Sequence, residues 1–93
     1  MEIQHELNNH KGAFYIENEG TRAAEMTYTM AGEDTLIIDH TEVSDALRGT
    51  GAGLKLVMAA VEHARKNQLK IIPLCPFAKS VFDKKEEIRD VLK

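Results

Sequence analysis

The sequence predicts an α+β fold: an antiparallel four-strand meander, then a β-α-β unit that makes the sheet mixed, then C-terminal helices. Two observations carry this. Residues 3–43 show short apolar-alternating runs separated by turn-prone residues, and from about Thr50 the apolar residues recur instead at helical spacing. A strand, a glycine-rich loop, a helix and a second strand then follow in that order, and such crossovers are almost always right-handed with parallel flanking strands.

Each element has its own signal. Ile3 to Leu7 and Ala13 to Glu17 are joined by Asn8-Asn9-His10-Lys11-Gly12, which reads as a hairpin. Glu17-Asn18-Glu19-Gly20 makes a second turn. Arg22 to Met30 puts Ala24, Met26, Tyr28 and Met30 on one face, and Ala31-Gly32-Glu33-Asp34 turns the chain into the β-rich run 35-TLIIDHTEV-43. A helix is expected from about Thr50 to Asn67, with Leu54, Val57, Met58 and Val61 facing inward and Glu62, Arg65 and Lys66 outward. A short strand, 70-KIIPLC-75, follows. Pro76 opens a second helical segment carrying Ala78, Val81 and Phe82, and 84-KKEEIRDVLK-93 reads as a solvated terminal helix.

Composition restricts the function. A chain of 93 residues that is 43% hydrophobic supports one small domain, 1–93, with one modest core. The net charge of -3 argues against a general nucleic-acid binder, which needs a basic face. Met1 and Glu2 lead into a polar stretch, and no apolar run approaches the ~18 residues needed to span a bilayer, so a cytoplasmic protein with no membrane partner is expected. His5, His10 and His63 lie at no metal-ligand spacing, so no metal site is expected. The lone Cys75 is either a buried small hydrophobe or a reactive thiol.

The loop 47-LRGTGAGLKL-56 carries Gly49, Gly51 and Gly53 at the mouth of the long helix. Unpaired amides and the helix dipole make such a junction an anion site, and glycines let a phosphate approach the backbone. The spacing matches neither Gly-x-x-x-x-Gly-Lys-Ser/Thr nor Gly-x-Gly-x-x-Gly; it is Arg48-x-x-Gly51-x-Gly53. With Val43 at a strand end five residues earlier, this loop resembles the acyl-CoA pyrophosphate loop, Gln/Arg-x-x-Gly-x-Gly/Ala, of the GNAT superfamily of N-acetyltransferases. The likeness covers about residues 22 to 83. Its length, His40-Thr41-Glu42-Val43, the loop and 73-PLCPFAKSVF-82 are similar to the small single-domain GNAT-like proteins.

The resemblance implies a minimal domain that binds acetyl-CoA or CoA and passes the acetyl group to a small amine, a protein amine or a thiol. It implies that the amides of Gly49, Thr50, Gly51, Ala52 and Gly53 hold the pyrophosphate, with Arg48 and Lys55 adding charge. Both cations also read as plain surface. The pantetheine arm would pair with the backbone of the strand carrying Thr41 and Val43. The thioester would lie in a wedge where that strand splays from the next. Pro73, which has no amide hydrogen, gives that splaying a physical reason, although it also suits an edge strand. The family pattern Asn-x-x-Ala-x-x-x-Tyr falls on Cys75-x-x-Ala78-x-x-x-Phe82, so these are expected at the cofactor with both chemical residues changed.

Phe82 has no proton to give. Either another group acts, with Tyr28 as one option, or transfer proceeds by a different route in which the Cys75 thiolate attacks the thioester. His40 is the expected base, on the ground that Leu36, Ile37 and Ile38 suggest a buried strand; the alternative is a packed core pair. In a regular strand Asp39 faces away from His40, and Glu42 shares the His40 face as a carboxylate for an amine acceptor. A second class of function is a CoA-binding module that senses or docks without turnover.

Overall fold

In the computed structural model, which describes residues 2–93, five strands form one sheet in the order β1-β2-β3-β4-β5. Strands β1 (Gln4–Asn8), β2 (Lys11–Asn18), β3 (Thr21–Ala31) and β4 (Thr35–Val43) are the expected antiparallel meander. Helix α1 (Ala52–Asn67) then crosses over, and β5 (Lys70–Pro73) returns parallel to β4. Helix α2 (Pro76–Lys84) follows. The β1–β2 turn is tighter than expected. Asn8 pairs with Lys11, and Asn9 takes a positive φ of 61°, as the first position of the favoured two-residue hairpin turns requires.

The strand register sorts the side chains onto two faces, because residues directly opposite across a ladder share a face. One face carries the rows His5–Phe14–Met26–Thr41, Leu7–Gly12–Tyr28–Ile38–Pro73 and Met30–Leu36–Ile71. Both helices pack there in one continuous core. The other face carries Glu6–Ala13–Thr27–His40 and Gln4–Tyr15–Glu25–Glu42, and among the described residues no helix packs on it.

Helix α1 buries Leu56, Val57, Ala60, Val61 and Ala64, a stripe at 3.6-residue period whose alanines let the helix approach the sheet closely. This corrects the expected inward face by part of a turn: Val57 and Val61 are in the core, but Leu54 is exposed and Met58 only half-buried. The terminal segment also differs. Glu86–Val91 is a 3-10 turn that buries Ile88 and Val91, and Leu92 bridges to Ile71 beside β5. Two apolar residues three apart suffice to dock so short a segment, and the charged residues around them hide that signal.

Two irregularities position the site. Thr27 pairs with His40 and Tyr28 with Ile38, so Asp39 is an extra residue in β4, a β-bulge. In a regular strand His40 would return to the helix-covered face with Ile38. The bulge reverses the alternation, so Thr41 takes that face and His40 the open one. The β4–β5 ladder then ends at Ile38 and Pro73. The amides of Leu74 and Cys75 both turn onto the Ile38 carbonyl, at 3.1 and 3.2 Å, and Pro76 starts α2. Residues 39–43 of β4 run on without a β5 partner, and the expected splaying is present.

Candidate active site

The glycine loop leaves β4 through a short 3-10 turn, Asp45–Leu47, and enters α1 at Gly51. Its bonds are local. Thr50 donates its amide to the Leu47 carbonyl at 3.2 Å and its hydroxyl to the same oxygen at 2.5 Å, while the Lys55 amide bonds to Gly51. Among the described residues, the amides of Gly49, Gly51, Ala52 and Gly53 donate to no acceptor in the protein. They border a cavity of about 280 Å³ walled by Val43, Leu47, Leu54 and Phe77. Unpaired amides at a helix N-terminus, facing a cavity, fit a diphosphate.

The three glycines serve two purposes. Gly49 and Gly51 have φ of +82° and +81°, and a Cβ at either would meet nothing within 4 Å, so backbone conformation selects glycine there. Gly53 is different. A Cβ at Gly53 would lie 2.7 Å from Phe77 Cζ, so its missing side chain accommodates the protein's own aromatic ring rather than a ligand. Arg48 lies at the cavity rim, paired with Asp45 at 2.8 Å and 77% exposed. So exposed a pair contributes about 0–1 kcal/mol, and a phosphate can take the guanidinium from it. Lys55 is exposed one turn into α1.

Cys75 lies where the wedge begins, 5% exposed at the N-cap of α2, with its Sγ 3.3 Å from Thr41 Oγ1. Burial pushes the thiol pKa up. Hydrogen bonding with the Thr41 side chain, with the Ala78 and Phe77 amides and with the Thr41 backbone together outweighs it, so the net shift is downward. Val43 follows on the same face as Thr41, half-buried against the core. The side chain of Thr41 is the contact that sequence reasoning missed, since only its backbone was expected to act. A bulge leaves no compositional mark that could have revealed it.

His40 is not beside Cys75. The bulge turns it to the open face, where its side chain is 67% exposed and its Nε2 is 3.6 Å from Glu42 Oε1. The expectation of a buried imidazole next to the thiol is therefore corrected. Asp39, as the bulged residue, accepts a 2.8 Å bond from Thr29. Glu42 does share the His40 face. It stands in register with Glu25, and both line an open-face depression of about 370 Å³ together with Arg22 and Ser44. Like charges directly opposite are unfavourable, and Arg22 relieves this by binding Glu25 at 2.7 Å.

Ala78 and Phe82 are 0% and 1% exposed in the core and present no side-chain surface to a ligand; Ala78 acts through its amide on Cys75. Nor does Tyr28 reach the wedge. Its ring lies over Gly12, where a Cβ would overlap it, and its hydroxyl is 2.5 Å from His5 Nε2, toward the β1 edge. His63 joins this cluster, 4.7 Å from the His5 ring. The sequence separation of these residues concealed the grouping. Among the described residues no three metal-ligating side chains come together, and no helix is long and apolar enough to cross a membrane.

Comparison with known proteins agrees with this geometry. Residues 13–91 match the family model described as GCN5-related N-acetyl-transferase. The solution structure of a GCN5-like protein from Staphylococcus aureus is 45% identical, with a TM-score of 0.75, covering 99% of this chain and 87% of that one. A ribosomal-protein-alanine N-acetyltransferase from Brucella melitensis shares the fold at 15% identity and TM-score 0.69, over 83% of this chain and 62% of its own. So does AAC(6')-Iy, solved with the bisubstrate analog CoA-S-monomethyl-acetylneamine, at 11% identity and TM-score 0.57, over 83% and 61%. No curated protein sequence matches significantly. An unpaired glycine loop, a splayed β4–β5 pair and the family match lead to one assignment: the chain belongs to the GCN5-related N-acetyltransferase family, whose members use acetyl-CoA.

Proposed function

We propose that this chain transfers the acetyl group of acetyl-CoA to an amine, through an acetyl-Cys75 intermediate. The observation that carries the reading is the continuity of unpaired loop amides, unpaired β4 edge and Cys75. The amides of Gly49, Gly51, Ala52 and Gly53 hold the pyrophosphate, without the expected Thr50 amide, which is bonded to the Leu47 carbonyl, and the β4 backbone at Thr41 and Val43 pairs with the pantetheine arm. Cys75 Sγ, with its pKa lowered by Thr41 and the first amides of α2, attacks the thioester carbonyl. A carbon–sulfur bond forms to Cys75 and the one to CoA breaks. The thiol proton passes to the departing CoA sulfur through the Thr41 hydroxyl, in place of the His40 base and of the tyrosine that Phe82 replaces. A neutral amine then attacks acetyl-Cys75 and loses a proton, and the thiol is restored. The amine approaches across the open face, where Glu42 and His40 stand 3.6 Å apart.

One observation favours a second reading, a CoA-binding module without turnover: neither Phe82 nor Tyr28 offers a hydroxyl to the wedge. Intact mass after incubation with acetyl-CoA separates the two. One added acetyl group, absent in Cys75→Ser and discharged by an amine, supports transfer. CoA binding with neither adduct nor turnover over an amine panel supports the module, and no CoA binding at all rejects both.

A further inference from the structure

We propose that Thr29 and Asp39 are positioning residues: their bond across the open face pins the β4 bulge in place and thereby holds Thr41 against Cys75. This rests on the reading of Cys75 as the nucleophile. The extra residue of a bulge has no ladder partner of its own, so another contact fixes where along the strand it sits. No residue of β3 stands opposite Asp39. Its carboxylate instead accepts the 2.8 Å bond from the Thr29 hydroxyl, and that hydroxyl in turn accepts a 2.9 Å bond from the Lys11 ammonium. Lys11 stands opposite Thr29 in the β2–β3 ladder, so one chain of donors spans β2, β3 and β4 with a charge at each end. Bonds to ionised groups are the stronger kind, and a shared hydroxyl strengthens both.

The place of the bulge decides what faces Cys75. Residues 39–43 have β3 on one side and no β5 partner on the other, and the segment is fixed at its far end by the 2.7 Å bond from the Ser44 amide to the Ala23 carbonyl. Its near end depends on Asp39. Were the extra residue to move past Thr41, the ladder would pair Thr27 with Asp39, Met26 with His40 and Glu25 with Thr41, and the Thr41 hydroxyl would turn to the open face. The 3.3 Å contact with Cys75 Sγ would be lost. Burial, which pushes the thiol pKa up, would then be opposed by the α2 amides without the Thr41 side chain.

Cys75 is the sole cysteine, so the pH profile of alkylation by iodoacetamide reports its thiol alone. Wild type should show a midpoint below that of a free cysteine in a peptide. Thr29→Val, which keeps the branched shape and removes both bonds, and Asp39→Ala should each raise the midpoint. The rate at pH 7, relative to the high-pH plateau, should fall about threefold in each, the scale of one hydrogen bond. Thr29→Ser and Asp39→Asn, which keep the hydroxyl and the acceptor, should stay near wild type. In a Thr41→Val background, Thr29→Val should add no further shift, because the bond acts through Thr41. A midpoint unmoved by Thr29→Val and Asp39→Ala, even with the raised plateau that general loosening gives, would overturn the inference and leave the acetyl-Cys75 reading standing; so would shifts that add to that of Thr41→Val. A wild-type midpoint no lower than that of the free cysteine would overturn both.

Discussion

At the β1 edge of the sheet, His5 stacks on Phe14 at 4.2 Å and bonds the Tyr28 hydroxyl, and every pairing from β1 to β3 is continuous apart from one bulge. At the other edge, the ladder stops at Ile38 and Pro73, and the neighbouring loop keeps four amides unbonded. Both regions bring polar groups next to the same core. The first satisfies them internally, as interiors generally do. The second leaves them bordering a cavity, and this distinguishes a candidate binding site from a structural cluster more clearly than the identities of the residues.

The largest test of the contrast sets two glycines against each other. Gly12→Ala drives a methyl into the Tyr28 ring, which is fully buried and pinned by His5. A loss of about 1–3 kcal/mol in denaturant unfolding is expected. Gly53→Ala also meets an aromatic ring, but Phe77 is 42% exposed and can swing outward, so the change should stay within about 0.5 kcal/mol. Equal destabilisation would remove the distinction between a closed edge and an open one.

Smaller is the effect of Gly51→Ala, which forces a side chain onto φ of +81°, a strain of about 1–2 kcal/mol. It should also lower CoA affinity by shifting the amides of the loop. Unchanged affinity would mean those amides do not hold the pyrophosphate.

The closed edge should be the acid-sensitive one. His5 is held below its ordinary pKa chiefly by burial, then by His63, with Glu6 opposing; His63 is lowered by burial, then by Lys66. Folding thus favours the neutral imidazoles and the unfolded chain binds more protons. Their contribution is complete above an unfolded-state value of about 6.5 and is lost as pH falls through the depressed folded values. The melting temperature should drop from pH 7 to pH 5, and less steeply in a His5→Gln, His63→Gln double variant. Parallel profiles would refute the role of this cluster.

Arg48→Ala should have the least effect on stability, within about 0.5 kcal/mol, because its pair with Asp45 is exposed. It should still weaken CoA severalfold, and stability loss without affinity loss would reverse its assignment.

Strand order, the crossover helix and the loop could be read because alternation, helical period and glycine spacing each leave a pattern over many residues. The facing of His40 could not. One extra residue at Asp39 changes no composition, yet it exchanges the faces of every residue from His40 to Val43 and brings Thr41, not His40, to Cys75. The burial of Ile88 and Val91 was hidden for a related reason, since charged neighbours outnumber them in a segment too short to show a period.

Two-dimensional amide NMR during CoA titration addresses the central claim most directly, because glycine amides resolve well and each loop position reports separately. The amides of Gly49, Gly51, Ala52 and Gly53 should move markedly and saturably, with Thr41 and Val43 following and Gly12 nearly still. If CoA binds while those loop resonances stay in place, the pyrophosphate is held elsewhere and the account is wrong.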